Sequence, residues 1–388
     1  MKSFTAKYVI SFAPILIGAS ASLVLFQFFA RSERTNFDDI ALGEETTNII
    51  PIVDGHPIHG FYFGGDNSIE TCLESLTKRH KDSVVLWLGN SQLHSVNQAG
   101  AGAEPASAKL FRSLHGRLPP LLTMSQPNAN LQEHYILFEY LRTYLDIDAL
   151  LLPVVFDDLR ETGIRSDLRK ALWDPKSNAS ISATNVGLNI LNTTRDAGDF
   201  NNKQNKSDEI SSSFQESSEE YLNGWLEQRS ALWAARPEFR GRIMDGLYRF
   251  RNKVFRITPQ SKRRQIPGRY TLNMQALEVL LKVAQDKMIP VITYIVPIRN
   301  DVQIPYEISE YVRFKEQVAI LASETGATFV NLEDLIPSEF WGSTASITGG
   351  EGKDLDFMHF QEEGHELLAK ALEAVLLKLI GTETSVTK

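Results

Sequence analysis

Five short apolar runs punctuate the chain, at residues 83–88, 120–124, 148–156, 289–296 and 327–331. Each is bounded by turn-forming residues and stays apolar on consecutive positions, the pattern of a strand buried on both faces. Between them lie stretches with apolar residues at helical spacing: 130–145, 272–287, 307–325 and 361–380. Strands alternating with helices in this way predict an α/β fold, a three-layer sandwich around a five-stranded parallel sheet. In such sheets reactive groups gather where the strands end. Ser91, Asp157, Asp158, Arg299 and the loop before Gln361 all fall at such ends.

The same pattern marks two departures from a plain sandwich. Residues 8–30 carry no charge and are long enough to cross a bilayer, which takes about 20 apolar residues. Leu23-Val24-Leu25-Phe26 continues past the small residues Ala19-Ser20-Ala21, which favours an uncleaved anchor over the alternative, a cleaved signal peptide. Residues 1–31 therefore read as a membrane anchor and 32–80 as a juxtamembrane connector; the flanking charges bias orientation only slightly, and the body is expected on the extracytoplasmic side mainly because of the chemistry read below. Residues 81–388 read as the main domain, interrupted by an insertion at 174–265. Within the insertion, 174–220 is rich in Asn, Ser, Thr and Asp and predicts a loop or disorder. Residues 220–257 look helical, with a break at Pro237. The basic stretch 240–264 reads as a solvated helix face, a lipid-contacting helix or a surface for a membrane partner.

Composition narrows the function classes. Asp and Glu exceed Lys and Arg, 48 to 40, for a net charge of −8. That balance argues against nucleic acid as a partner, because neutralising phosphates needs a basic surface. Cys72 is the only cysteine, which rules out an intramolecular disulfide and a cysteine-built zinc site. His56 and His59 flank Pro57 without further ligand types nearby, so no metal and no cofactor is implied.

Two short segments carry chemistry. Val84-Val85-Leu86-Trp87-Leu88 runs into Gly89-Asn90-Ser91, which sets a serine hydroxyl on the turn after a buried strand. There, free amide N–H groups can face a reacting oxygen. The bland reading makes Ser91 a helix cap. Late in the chain, Asp356-Phe357-Met358-His359 puts a carboxylate three residues from an imidazole, close enough to orient it on one turn of loop or helix. Ser91 as nucleophile, His359 as base and Asp356 as orienter form a serine acyl-transfer set. His365, inside the following helical pattern, is the rival histidine. Asp158 and Arg299 are substrate-binding candidates by topology, with a solvated charge cluster as the alternative for Asp158.

Gly89-Asn90-Ser91 after the first strand, and Asp356-Phe-Met-His359 followed by Gly364-His365 and Leu367-Leu368-Ala369, resemble the first and last blocks of the SGNH (GDSL-type) hydrolase superfamily. The resemblance spans roughly residues 84–377 and implies a flavodoxin-like sandwich. Its middle blocks depart from the pattern: Ser125-Gln-Pro-Asn-Ala-Asn130 stands where a glycine is common. Val155-Phe-Asp-Asp158 stands where Gly-x-Asn-Asp is common. The resemblance leaves Asn128 or Asn130, with the Ser91 N–H, as donors to the oxyanion. The anchor, the Asn before the serine and the large insertion look more like the envelope proteins of alginate acetylation and teichoic-acid D-alanylation. That likeness implies a membrane-bound O-acyltransferase partner and a glycan or acyl-ester substrate. A non-catalytic binding protein on the same fold and a lipid esterase are the alternatives.

Overall fold

The computed structural model describes residues 45–61, 68–79, 83–205, 261–345 and 353–386. The chain divides into two units. One comprises Met1–Gly43, Phe200–Ile257 and Ile347–Gly349, nearly all outside the described residues; the other comprises Glu44–Asp199, Thr258–Ser346 and Gly350–Lys388. The expected membrane anchor and the expected helix at 220–257 lie outside the described residues. Among those described, no helix is long and apolar enough to cross a membrane.

The larger unit opens with four short strands, β1 (Thr46–Asn48), β2 (Ile52–Val53), β3 (His56–Pro57) and β4 (His59–Gly60). Then come β5 (Ser83–Gly89), β6 (Ser95–Asn97), β7 (Leu121–Ser125), β8 (Asp146–Val154), β9 (Val291–Ile295) and β10 (Thr328–Asn331). The ribbon β11 (Trp341–Ala345) and β12 (Lys353–Phe360) closes the series. The main sheet has six strands in the order β10-β9-β8-β5-β7-β4, every pair parallel. The five expected strands are β5, β7, β8, β9 and β10. The sixth, β4, corrects the expected count and comes from the segment read as connector. It is only two residues long, too short to show a period. The preceding Ile58 is buried, and its carbonyl accepts from the N–H of Thr123 at 2.9 Å. The same segment supplies the helix Ile69–Lys78, which buries Ile69, Cys72 and Leu76.

Alternate residues of each strand enter different cores, as the two-residue repeat of a strand requires. Val84, Leu86 and Leu88 join Leu150, Leu152 and Val154 under the helices Leu131–Leu141, Pro267–Asp286 and Ile308–Glu324. Val85 and Trp87 join Ala149, Leu151 and Tyr294 under the helices Ala106–Leu114 and Glu362–Val386. Both faces are covered, which explains why the runs are apolar throughout. Counting β5 as first, the five main strands stand in the order 5-4-3-1-2. The direction of winding reverses between β5 and β8, and the crevice beyond their carboxyl ends is where doubly wound sheets bind ligands.

The insertion also differs from expectation. Its start is helical, at Pro175–Ile181 and Asn185–Asn205, rather than a loop. Asp174 caps the first of these helices through the N–H groups of Lys176 and Ser177, and Pro175 occupies the first helical position. Ile181, Ile190 and Leu191 are buried against the core. So sparse an apolar set is hidden in a mostly polar segment. Of the basic stretch, Arg263 bonds the Asp157 carboxylate and Lys262 lies 3.9 Å from Glu307.

Candidate active site

The turn bearing Ser91 directly follows β5. Asn90 accepts the N–H of Gln92 on its side-chain oxygen and so caps a single 3-10 turn, Ser91–Leu93. A Cβ on Gly89 would lie 2.3 Å from the Leu93 Cδ1, so glycine lets the turn fold back tightly on the strand. Ser91 is partly exposed and opens the turn, where an N–H has no acceptor within the helix.

Ser91 Oγ lies 3.0 Å from His359 Nε2, and His359 Nδ1 lies 3.0 Å from Asp356 Oδ2. The other Asp356 oxygen accepts the backbone N–H groups of Met358 (2.8 Å) and His359 (2.9 Å), which fixes the carboxylate. With Asp356 ionised, His359 carries its proton on Nδ1 and offers a lone pair on Nε2 to the serine hydroxyl. Asp356 and His359 sit on a strand, β12, rather than on a loop or helix as expected. Residues three apart on a regular strand face opposite sides. Here Trp341 pairs with Phe360 while Ser343 pairs with Leu355, so 356–359 bulge out opposite Gly342 alone. The bulge brings carboxylate and imidazole together.

Burial works against charge on both groups, yet each stabilises the other. For His359 burial lowers the pKa, but the charge and hydrogen bond of Asp356 outweigh it and the net shift is upward. For Asp356 burial raises the pKa, while His359 and the two backbone N–H groups bring it below the ordinary carboxylate range.

Two residues missing from the sequence reading hold this arrangement. Gln92 Nε2 donates to the carbonyls of Pro297 (2.8 Å) and Met358 (2.9 Å), joining the turn bearing Ser91 to the bulge. Asn97 Nδ2 reaches Asp356 Oδ2 (3.3 Å), Ser343 O and Thr46 Oγ1 (both 3.0 Å). A Cβ on Gly342 would lie 1.8 Å from the Asn97 side-chain oxygen, so glycine makes room for this amide. Partners some 250 residues apart leave no spacing signal. Beneath the turn, buried Ser125 lies 2.6 Å from both His94 Nδ1 and His59 Nε2, and His59 Nδ1 lies 2.9 Å from Ser107.

The remaining expected residues take other places. Asn130 is an N-cap whose side chain accepts the N–H of Glu133 and whose Nδ2 donates to Gly163 O at 2.9 Å. It serves the helix Leu131–Leu141 rather than an oxyanion. Asn128 has a left-handed φ of 53°, and its carbonyl accepts from Arg165. Arg299 is buried, forked onto Asp301 and bonded to Gly342 O at 2.9 Å, so it braces the ribbon rather than offering a free cation to substrate. His365, the rival histidine, accepts the N–H of Ala106 on Nδ1 and reaches Ser95 O with Nε2. Asp158 is buried and bonded to Asn90. Among the described residues no cluster of His, Cys, Asp and Glu could hold a metal ion.

No protein family and no curated protein matches the chain. One solved structure, described as "a putative arylesterase from Agrobacterium tumefaciens str. C58", is similar at 10% identity with a TM-score of 0.32. The match covers 76% of this chain and 99% of that one.

Proposed function

We propose that this protein processes esters through an acyl-serine at Ser91. The observation that carries the reading is the unbroken hydrogen-bonded series Ser91–His359–Asp356 at the carboxyl end of the sheet. His359 Nε2 takes the hydroxyl proton as Ser91 Oγ attacks the ester carbonyl, and Asp356 stabilises the imidazolium. When the tetrahedral intermediate collapses, the alcohol leaves with the proton from His359. Water or a second hydroxyl then attacks the acyl-serine with His359 again as base, giving hydrolysis or transfer. Exclusion of water and the fit of an acceptor decide between them.

The uncharged run 8–30 and the likeness of the end blocks to envelope acyl-transfer proteins support a finer reading. In that reading the body works outside the cytoplasmic membrane, O-acylating a glycan with acetyl groups beside a membrane-bound O-acyltransferase. One experiment addresses both levels. A fluorophosphonate probe that cannot cross the bilayer is applied to intact spheroplasts expressing the wild type or Ser91→Ala. We expect labelling of the wild type and none of the variant. Labelling that survives the substitution removes Ser91 from the chemistry, and labelling seen only after lysis places the body inside.

A further inference from the structure

Asn90 and Asp158 follow β5 and β8, the neighbouring strands between which the winding reverses. Asn90 Nδ2 donates to Asp158 Oδ2 at 2.9 Å, while its side-chain oxygen is held by the N–H of Gln92 at 3.1 Å. The second contact fixes the orientation of the amide, so Asp158 meets a donor and never an acceptor. The Asp158 side chain belongs to a residue only 5% exposed. Among the described residues no cation bonds to it. Arg160 and Arg263 are bound to Asp157, as is the Tyr306 hydroxyl. Arg165 is engaged by Glu133 and by the carbonyls of Pro127 and Asn128.

An unpaired carboxylate is costly in such a place. Burial raises the Asp158 pKa well above the carboxylate range. The Asn90 bond opposes this, the neighbouring Asp157 and Glu161 add to it, and Arg165 moderates it. A neutral carboxyl that accepts an amide N–H on one oxygen carries its proton on the other. That O–H belongs to a side chain bonded to the residue directly before Ser91. Apolar surroundings that keep an acid neutral turn it into a strong hydrogen-bond donor.

We propose that Asp158, as a neutral acid oriented by Asn90, donates a hydrogen bond to the ester oxygen that becomes negative when Ser91 attacks. This rests on the reading of Ser91 as nucleophile. As the Ser91 Oγ–carbon bond forms, the carbonyl π pair moves onto oxygen, which accepts the Asp158 O–H and the Ser91 N–H. On collapse the carbonyl re-forms and the bond to the alcohol oxygen breaks. Asp158 keeps its proton throughout, and the leaving alcohol is protonated by His359.

The test compares wild type, Asp158→Asn, Asp158→Ala and Ser91→Ala in p-nitrophenyl acetate hydrolysis and in the rate of fluorophosphonate labelling. Infrared difference spectra between wild type and Asp158→Asn at neutral pH accompany it. Removing one oxyanion donor costs about 10²–10³ in rate. Asp158→Ala is therefore expected to lose about that much in both rates with little change in KM, whereas Asp158→Asn, which keeps a donor, loses less than about tenfold. The wild type loses activity on the alkaline side as Asp158 ionises, and Asp158→Asn does not. The infrared difference shows a carboxylic-acid carbonyl stretch that disappears in Asp158→Asn. The proposal is overturned by an alanine variant within about threefold of wild type, by an alkaline limb that persists in Asp158→Asn, or by the absence of that infrared band. Activity surviving in Ser91→Ala instead overturns the nucleophile assignment and leaves the infrared result to stand by itself.

Discussion

His359 must be neutral to accept the Ser91 proton, and Asp356 makes it a stronger base than its burial alone would allow. Because Asp356 shifts the imidazole upward on balance, protonation sets in above the ordinary histidine range. Activity should therefore fall, as the pH is lowered, through a limb lying above about 6.5. Asp356→Asn removes the charge and leaves burial, which acts in the other direction. The acid limb should move to lower pH while kcat drops by roughly 10³–10⁴, because the tautomer is no longer fixed. Steady-state rates across pH 5–9 measure both effects. An unmoved limb in the variant would mean that the carboxylate does not tune the base.

At the scale of elements, the Gln92 amide joins the 3-10 turn bearing Ser91 to the bulge bearing His359, beside the Ser91–His359 bond itself. Gln92 donates to two carbonyls, Pro297 and Met358, and neither strand pairing nor helix packing duplicates that link. Gln92→Ala leaves both carbonyls without this donor, at a cost of about 1–3 kcal/mol for each that stays buried. We expect Tm to fall by several degrees and kcat by at least tenfold, with KM nearly unchanged, since the loss is in alignment of Ser91 with His359. Gln92→Glu should not rescue the rate, because a carboxylate has no hydrogen to offer a carbonyl. Calorimetry and steady-state kinetics on the two variants check this; an unaltered kcat in either would show that the turn and the bulge hold their places independently.

At the scale of the whole molecule, four imidazoles among the described residues are buried and kept neutral. Burial lowers His59, His134 and His365 to about 3 and His94 well below its usual value. In the unfolded chain these groups take up protons near pH 6.5; in the folded chain His59, His134 and His365 do so only near pH 3 and His94 only well below its usual range. Between those values the unfolded state binds more protons, so stability decreases as pH falls. Asp158 and Glu133, whose pKa values burial raises, contribute with the opposite sign. The raised His359 acts with the two carboxyls, while the lowered Asp356 joins the four imidazoles, and the larger set leaves acid destabilisation as the net result. Tm followed by calorimetry should decline continuously from pH 6.5 to 4. A flat profile would mean that these rings are solvated.

The chain alone determined the layering of the fold and singled out the two segments that the structure brings together, Gly89-Asn90-Ser91 and Asp356–His359. Apolar runs at 83–88, 120–124, 148–156, 289–296 and 327–331 must be buried on two sides wherever they lie, because their periodicity is a local property. Likewise a serine after a buried strand, and an Asp three residues before a His, are visible without any partner. Tertiary structure decided what depends on distant neighbours. It added β4, whose two residues have no period of their own and are strand only because β7 is beside them. It converted 356–359 from an expected turn into a bulge, since a bulge exists only relative to the opposing strand. It drew Asn130 and Arg299 into capping and bracing, and brought in Gln92 and Asn97 to join elements far apart in sequence. A hydrogen bond across 250 residues leaves no mark in either residue's surroundings along the chain; it appears only when the fold brings the two residues together.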